Sequence, residues 1–265
     1  MPFLEIDDRK VWCGTAGTDW DDGRPLLLFV HGAGHDHSVW ALQARALSKD
    51  GWNVATPDLP GHGRSEDVSE LTSITAHAEW LARLCDALET ERLAVVGHSM
   101  GACIALELAA ANPDRVEALA LLGAGEAIPV NPGLLDDSLN HADRAHRFIA
   151  AFGHGRNTHF GAAEIPGIWL IGAALALLNR CEPAVLHRDF AACNDWDGSS
   201  IGARVAIPAL IVSGSADRMT PSRTGRALAD GIKGSTFELL QGPGHMLMQE
   251  APGRVTELLR GFLRA

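Results

Sequence analysis

The feature that most constrains this chain is an alternation of short, almost unbroken apolar runs with stretches of helical periodicity. The runs cover residues 26–30, 52–55, 93–96, 119–122, 209–212 and 236–240. A strand with one solvated face alternates apolar and polar residues, whereas a run that is apolar at nearly every position suits a strand buried on both faces of a parallel sheet. Between the runs lie amphipathic stretches. The clearest is 74–88, where Ile74, Ala78, Leu81, Leu84, Cys85 and Leu88 recur on one helical face. Strand and helix in succession predict an α/β fold, a mostly parallel sheet flanked by helices. Residues 3–6 and 10–13, joined by Asp7-Asp8-Arg9, read as a hairpin that adds an antiparallel edge.

The alternation lapses between about residues 126 and 204, where no buried strand is expected but helical patterns run near 138–152, 167–179 and 183–192. Pro129, Pro132-Gly133 and Asp197-Gly198 punctuate the borders. The chain is therefore expected to comprise a core, 1–125 and 205–265, interrupted by a helical cap, 126–204. Within the cap, 165–178 is too apolar all round for a solvent-facing helix. It contains Pro166 and is shorter than the roughly 20 residues a membrane-spanning helix needs. It is expected against the core, the pocket or a partner subunit, with Trp169 and Leu170 as candidates to line an apolar substrate pocket.

Chemistry enters at Gly97-His98-Ser99-Met100-Gly101, set directly between the apolar run 93–96 and a helical run 102–111 that ends at Asn112-Pro113. A serine at a sharp strand-to-helix turn presents its hydroxyl above the sheet, and the turn brings strand and helix so close that its flanks must be small. Gly97, Gly101 and Ala102 meet that demand. The helix N-terminus that follows supplies free N–H groups and a positive dipole end. Taken alone, Ser99 would also fit a helix N-cap.

Three further motifs accompany this one in order: His31-Gly32-Ala33-Gly34, Asp58-Leu59-Pro60-Gly61-His62-Gly63-Arg64-Ser65, and Gly242-Pro243-Gly244-His245. Together the four resemble the α/β-hydrolase superfamily, in particular its capped esterases and C–C hydrolases, over nearly the whole chain outside the insertion. The resemblance implies a chain order of serine, acid, histidine. It makes Ser99 the nucleophile and His245, in a Gly-rich loop after the last strand, the general base that a weakly nucleophilic hydroxyl needs. Asp217, just after the run 209–212, is the expected orienting acid, with Glu126 as the alternative. The oxyanion hole is expected from the backbone N–H groups of Ala33 and Met100. His31 is read as holding its loop, His98 as packing beside the turn, and Asp58 and Arg64 as pinning their own loop.

Composition narrows the reaction. The formal net charge is −11 and no dense Lys/Arg run occurs, which argues against nucleic acid or an anionic membrane as partner and leaves a small-molecule substrate. A homodimer is left open. The five scattered cysteines read as free thiols, and His35-Asp36-His37 lacks the further ligands a metal would need, so neither metal nor cofactor is expected. The start of the chain shows no basic and apolar leader pattern, which predicts a cytoplasmic protein. Ser99 excludes displacement chemistry that starts from an aspartate at the same turn, and the absence of tyrosine removes the lid phenols of the superfamily's epoxide-opening members. Acyl transfer to water remains, most simply carboxylic ester hydrolysis of a small, largely apolar substrate through an acyl-enzyme. The alternatives are C–C hydrolysis of ring-cleavage diketones and a small-molecule receptor without turnover.

Overall fold

The computed structural model describes residues 3–165 and 167–264. Eight strands form one sheet: β1 (Phe3–Ile6), β2 (Arg9–Gly14), β3 (Leu26–Val30), β4 (Asn53–Pro57), β5 (Leu93–His98), β6 (Val116–Leu122), β7 (Ala209–Gly214) and β8 (Thr236–Leu240). Their order is β1-β2-β4-β3-β5-β6-β7-β8. The first hairpin is antiparallel and β2 pairs antiparallel with β4, while every pairing from β4 to β8 is parallel.

The apolar runs are continuous because alternate residues feed two cores. Leu26, Leu28 and Val30 of β3, Leu93 and Val95 of β5, and Leu119 and Leu121 of β6 face one side. Leu27, Phe29, Ala94, Val96, Ala120 and Leu122 face the other. The first face is covered by α2 (Ile74–Ala87), α3 (Met100–Ala111) and α8 (Ser222–Gly231), and the second by α1 (Ala41–Ser48), α9 (Leu247–Glu250) and α10 (Pro252–Leu263). Ser73 caps α2 by accepting a hydrogen bond from Ala76 N.

Between β6 and β7 the described residues contain no strand but four α-helices: α4 (Pro132–Asn140), α5 (Ala142–Phe152), α6 (Leu170–Leu178) and α7 (Pro183–Asp195). The pattern read across 138–152 is split, because His141 at φ −144° ends α4 and opens α5. In the stretch 165–178, Pro166 lies outside the described residues. The helix itself starts only at Leu170, since Gly167 adopts φ +83° and Trp169 φ −87°, ψ 82°, neither of which continues a right-handed helix. Nor is this helix buried all round: Leu170, Ala174 and Leu178 face inward at helical spacing, while Ala173 and Ala176 lie outward. Among the described residues no helix is long and apolar enough to cross a membrane.

Candidate active site

Ser99 joins β5 to α3 at φ 55° and ψ −122°, a conformation non-glycine residues rarely adopt. Such strain typically costs about 1–3 kcal/mol and persists only where the surroundings enforce it. Here they do. Ser99 N donates to Leu122 O of the next strand, and Ser99 O accepts from Ala102 N and Cys103 N of the helix, so both backbone groups are held. The flanks allow no side chain. A Cβ on Gly97 would stand 2.3 Å from Gly101 O, and one on Gly101 would stand 2.4 Å from the carbonyl oxygens of Val30 and His31. Ser99 occupies the N-cap position of α3, but its hydroxyl makes no capping bond.

His245 lies in the loop between β8 and α9, and its Nδ1–H donates to Asp217 Oδ2 at 2.9 Å. Asp217 sits just past β7. Its Oδ1 accepts from Met219 N and Thr220 N, and its Oδ2 also accepts from the Thr220 hydroxyl at 2.8 Å. Burial alone would raise the Asp217 pKa, but the His245 imidazole and the Thr220 donors outweigh it and hold the carboxyl below its ordinary value. Glu126 lies elsewhere: its side chain extends toward Gly231 at the end of α8.

The loop after β3 passes directly over Ser99, so that a Cβ on Gly32 would come within 3.0 Å of the Ser99 Cβ. His31 anchors this loop. Its Nε2 accepts from Leu59 N, which puts the proton on Nδ1, where it donates to Gly32 O. Burial holds the ring well below the ordinary imidazole pKa, so it is neutral. Gly32 O also accepts from His35 N, while no hydrogen bond occupies Ala33 N–H among the described residues. Met100, the other expected donor, opens the first turn of α3. His98 is buried, packs at 4.6 Å between ring centroids on His245, and places Nε2 3.0 Å from His245 O. Asp58 holds its own loop through Arg64 N and also accepts from His37, while Arg64 itself lies over the Trp12 ring.

Ser99, His245, Thr220 and Ala33 open onto one cavity of about 260 Å³. Its walls are Ile128, Leu134, Phe148, Phe152, Phe190 and Met219, with Arg218 as its one cationic residue among those described. The two pocket residues expected from the sequence are not there. Trp169 is 71% exposed, and Leu170 is buried outside the cavity, because the late start of α6 turns the tryptophan out to solvent. The apolar lining comes instead from α4, α5 and α7 and from the segment after β6. Asp36, His37 and Asp58 gather donor atoms within 4.8 Å of one another, but these oxygens already accept from Ser38, His37 and Arg64. All five cysteines are buried free thiols, with Cys13 pushed up to about 12 by burial.

Sequence reasoning missed three groups. Thr220 could have been suspected from its place three residues after Asp217. Asp189, bonded to His62, and Glu250, which accepts from Gly155 N, Gly244 N and the Thr158 hydroxyl, have partners 127 and up to 95 residues away and leave no local signal.

Comparison with known proteins adds the following. A 2-hydroxy-6-oxononadienedioate/2-hydroxy-6-oxononatrienedioate hydrolase from Pseudomonas putida is 28% identical over 283 aligned positions, covering 99% of this chain and 96% of that one. The enol-lactonase from Burkholderia xenovorans shares the fold with a TM-score of 0.88 at 23% identity, covering all of both chains. A thermophilic esterase from Thermogutta terrifontis superposes with a TM-score of 0.83 at 25% identity, over 99% of this chain and 97% of that one. A family model described as alpha/beta hydrolase fold matches residues 25–170, more than half of the sequence. With its eight-stranded, mostly parallel sheet and its serine at the turn after β5, this chain belongs to the alpha/beta hydrolase fold family.

Proposed function

We propose that this hydrolase is a serine hydrolase that cleaves an ester or related acyl bond of a small, largely apolar substrate through an acyl-enzyme. The observation that carries the reading is the linkage of Asp217 Oδ2 to His245 Nδ1 at 2.9 Å, with His245 and Ser99 opening onto the same apolar cavity. In the proposed cycle His245 Nε2 takes the Ser99 hydroxyl proton as Oγ attacks the substrate carbonyl carbon. The oxyanion that forms accepts from the N–H groups of Ala33 and Met100. Collapse breaks the bond to the leaving group, which departs with the proton from His245. A water then repeats the sequence on the acyl-enzyme and releases the acid. Asp217 stabilises the transient imidazolium without itself taking the proton. The segment 126–204 acts as the cap, and Phe148, Phe152 and Phe190 select the acyl group.

C–C hydrolysis is the second reading, favoured by the name of the Pseudomonas putida relative. A panel of p-nitrophenyl esters of increasing chain length, aliphatic lactones and ring-cleavage diketones decides between them, with Ser99→Ala as control and an organophosphonate to label Ser99. Multiple turnovers of esters and labelling of Ser99 support the proposal. Preference for the diketone moves the assignment to the second reading. Labelling without turnover of any panel member points to a receptor.

A further inference from the structure

The cap does more than wall the cavity, because one of its buried carboxylates reaches the loop that carries the proposed oxyanion donor. Asp189 lies on α7 and is fully buried. Its Oδ2 accepts from Gly34 N at 3.1 Å and from His62 Nε2 at 2.8 Å. The other nitrogen of His62 faces Pro60 O at 3.1 Å. With an acceptor at each nitrogen, the ring must donate from both, which makes it an imidazolium beside a carboxylate. Apolar contact reinforces the docking. A Cβ on Gly34 would come within 2.9 Å of Leu186 and 3.0 Å of Leu178, from α7 and α6, so the loop is pressed against the cap with no space between.

The effect on Ala33 follows from the peptide planes. The peptide joining Ala33 to Gly34 is held at both ends, since Ala33 O accepts from His35 Nδ1 at 2.7 Å and Gly34 N–H donates to Asp189. The preceding peptide is held at its carbonyl, Gly32 O, by His31 Nδ1 and His35 N. A trans peptide directs its N–H opposite to its C=O, so the bonds to Gly32 O set the direction of the Ala33 N–H, while those on the Ala33–Gly34 peptide, the Asp189 bond among them, hold the backbone that follows it. Of the groups involved, His31 and His35 belong to the core and only Asp189 comes from the cap. We propose that Asp189 is a positioning residue: it holds the Ala33–Gly34 peptide so that Ala33 N–H meets the developing oxyanion, and full catalytic power therefore requires α7 to be seated. The proposal rests on the serine-hydrolase reading.

A charge-free pair of variants tests it without leaving a buried ion unpaired. His62→Gln/Asp189→Asn keeps an acceptor for Gly34 N–H, whereas His62→Gln/Asp189→Leu removes it at similar volume. With the preferred ester, the Asn variant is expected within threefold of wild-type kcat. The Leu variant is expected to lose at least tenfold in kcat with KM within threefold, and the Ki of a boronic acid, which mimics the tetrahedral species, should rise by the same factor. Equal kcat in the two folded variants, or a kcat loss without the matching rise in boronate Ki, overturns the proposal. Gly34 amide hydrogen exchange in the ligand-free wild type gives a check independent of any variant. Exchange as slow as core amides is expected, and exchange at the rate of open loops overturns the anchor. Failure of an organophosphonate to label Ser99 in the wild type would refute the underlying reading instead, leaving the exchange result to judge the anchor alone.

Discussion

The hydroxyl oxygen of Thr220 stands 3.1 Å from His245 Nδ1 while its proton is donated to the Asp217 carboxylate at 2.8 Å. The acid is thus shared by an imidazole, a hydroxyl and two backbone N–H groups, and it keeps its charge despite burial. Thr220→Val is expected to lower kcat/KM about tenfold, the effect of one hydrogen bond to a charged group at about 1.5 kcal/mol. Asp217→Asn should cost about 10⁴-fold by presenting the wrong tautomer of His245. Glu126→Gln, far from the imidazole, should stay within twofold. Steady-state kinetics of the three variants check the ranking, and a larger loss from Glu126→Gln would reassign the acid.

The strained backbone of Ser99 separates stability from activity. Ser99→Ala removes the proposed nucleophile and should cost on the order of a million-fold in turnover, with little change in Tm. Ser99→Gly should be equally inactive yet more stable, by about 1 kcal/mol, because glycine adopts a positive φ without steric cost. Thermal unfolding of both variants is the measurement. A glycine variant less stable than the alanine variant would show that φ 55° is not a strain at this site.

Specificity should follow the cavity walls rather than the face of α6. Phe190→Ala enlarges the pocket and is expected to move the optimum of a homologous ester series to longer acyl chains. The shift should be graded, since one methylene in an apolar pocket is worth about 1–3 kcal/mol. Trp169→Ala, at a side chain 71% exposed, should leave the profile unchanged. The reverse result, read as kcat/KM across the series, would place the substrate against α6.

Acid should destabilise the fold through its buried histidines, beginning below about pH 6.5. His31, His35, His77, His98 and His154 are all held below the ordinary imidazole pKa, chiefly because burial disfavours the charged ring, and His35 falls to about 4. The unfolded chain therefore binds more protons than the folded one as pH falls below about 6.5, and stability drops from there toward pH 4. His35 alone contributes about 3 kcal/mol of that loss. His62 and His37 behave oppositely. Burial lowers their pKa, but Asp189 and Asp58 outweigh it, so their contribution is complete below 6.5 and lost as pH rises through the elevated value. They cannot offset the acid loss. Urea unfolding at pH 7, 5.5 and 4.5 should show a falling midpoint, shallower in His35→Gln. A midpoint independent of pH between 7 and 5 would contradict the assignment of neutral buried rings.

What the sequence determined by itself was everything written in short-range order. Near-continuous apolar runs specify strands buried on both faces, because a residue and its successor must satisfy opposite sides of the sheet, as Leu26 and Leu27 do. Gly97 and Gly101 on either side of Ser99 specify the tight turn, because only hydrogen fits where backbone meets backbone. Loop positions after successive strands brought Asp217 within reach of His245, since parallel strands end on the same edge. What the tertiary structure alone decided lies where partners are far apart in sequence and lack a periodic pattern. The orientation of a short helix such as α6 depends on where it begins, so Trp169 faces out and the cavity falls to Phe148, Phe152 and Phe190. The seating of α7 on the core depends on Asp189 meeting His62 and Gly34 across 127 and 155 residues, and no local pattern encodes such a pairing because a single buried polar contact is selected by the packing around it.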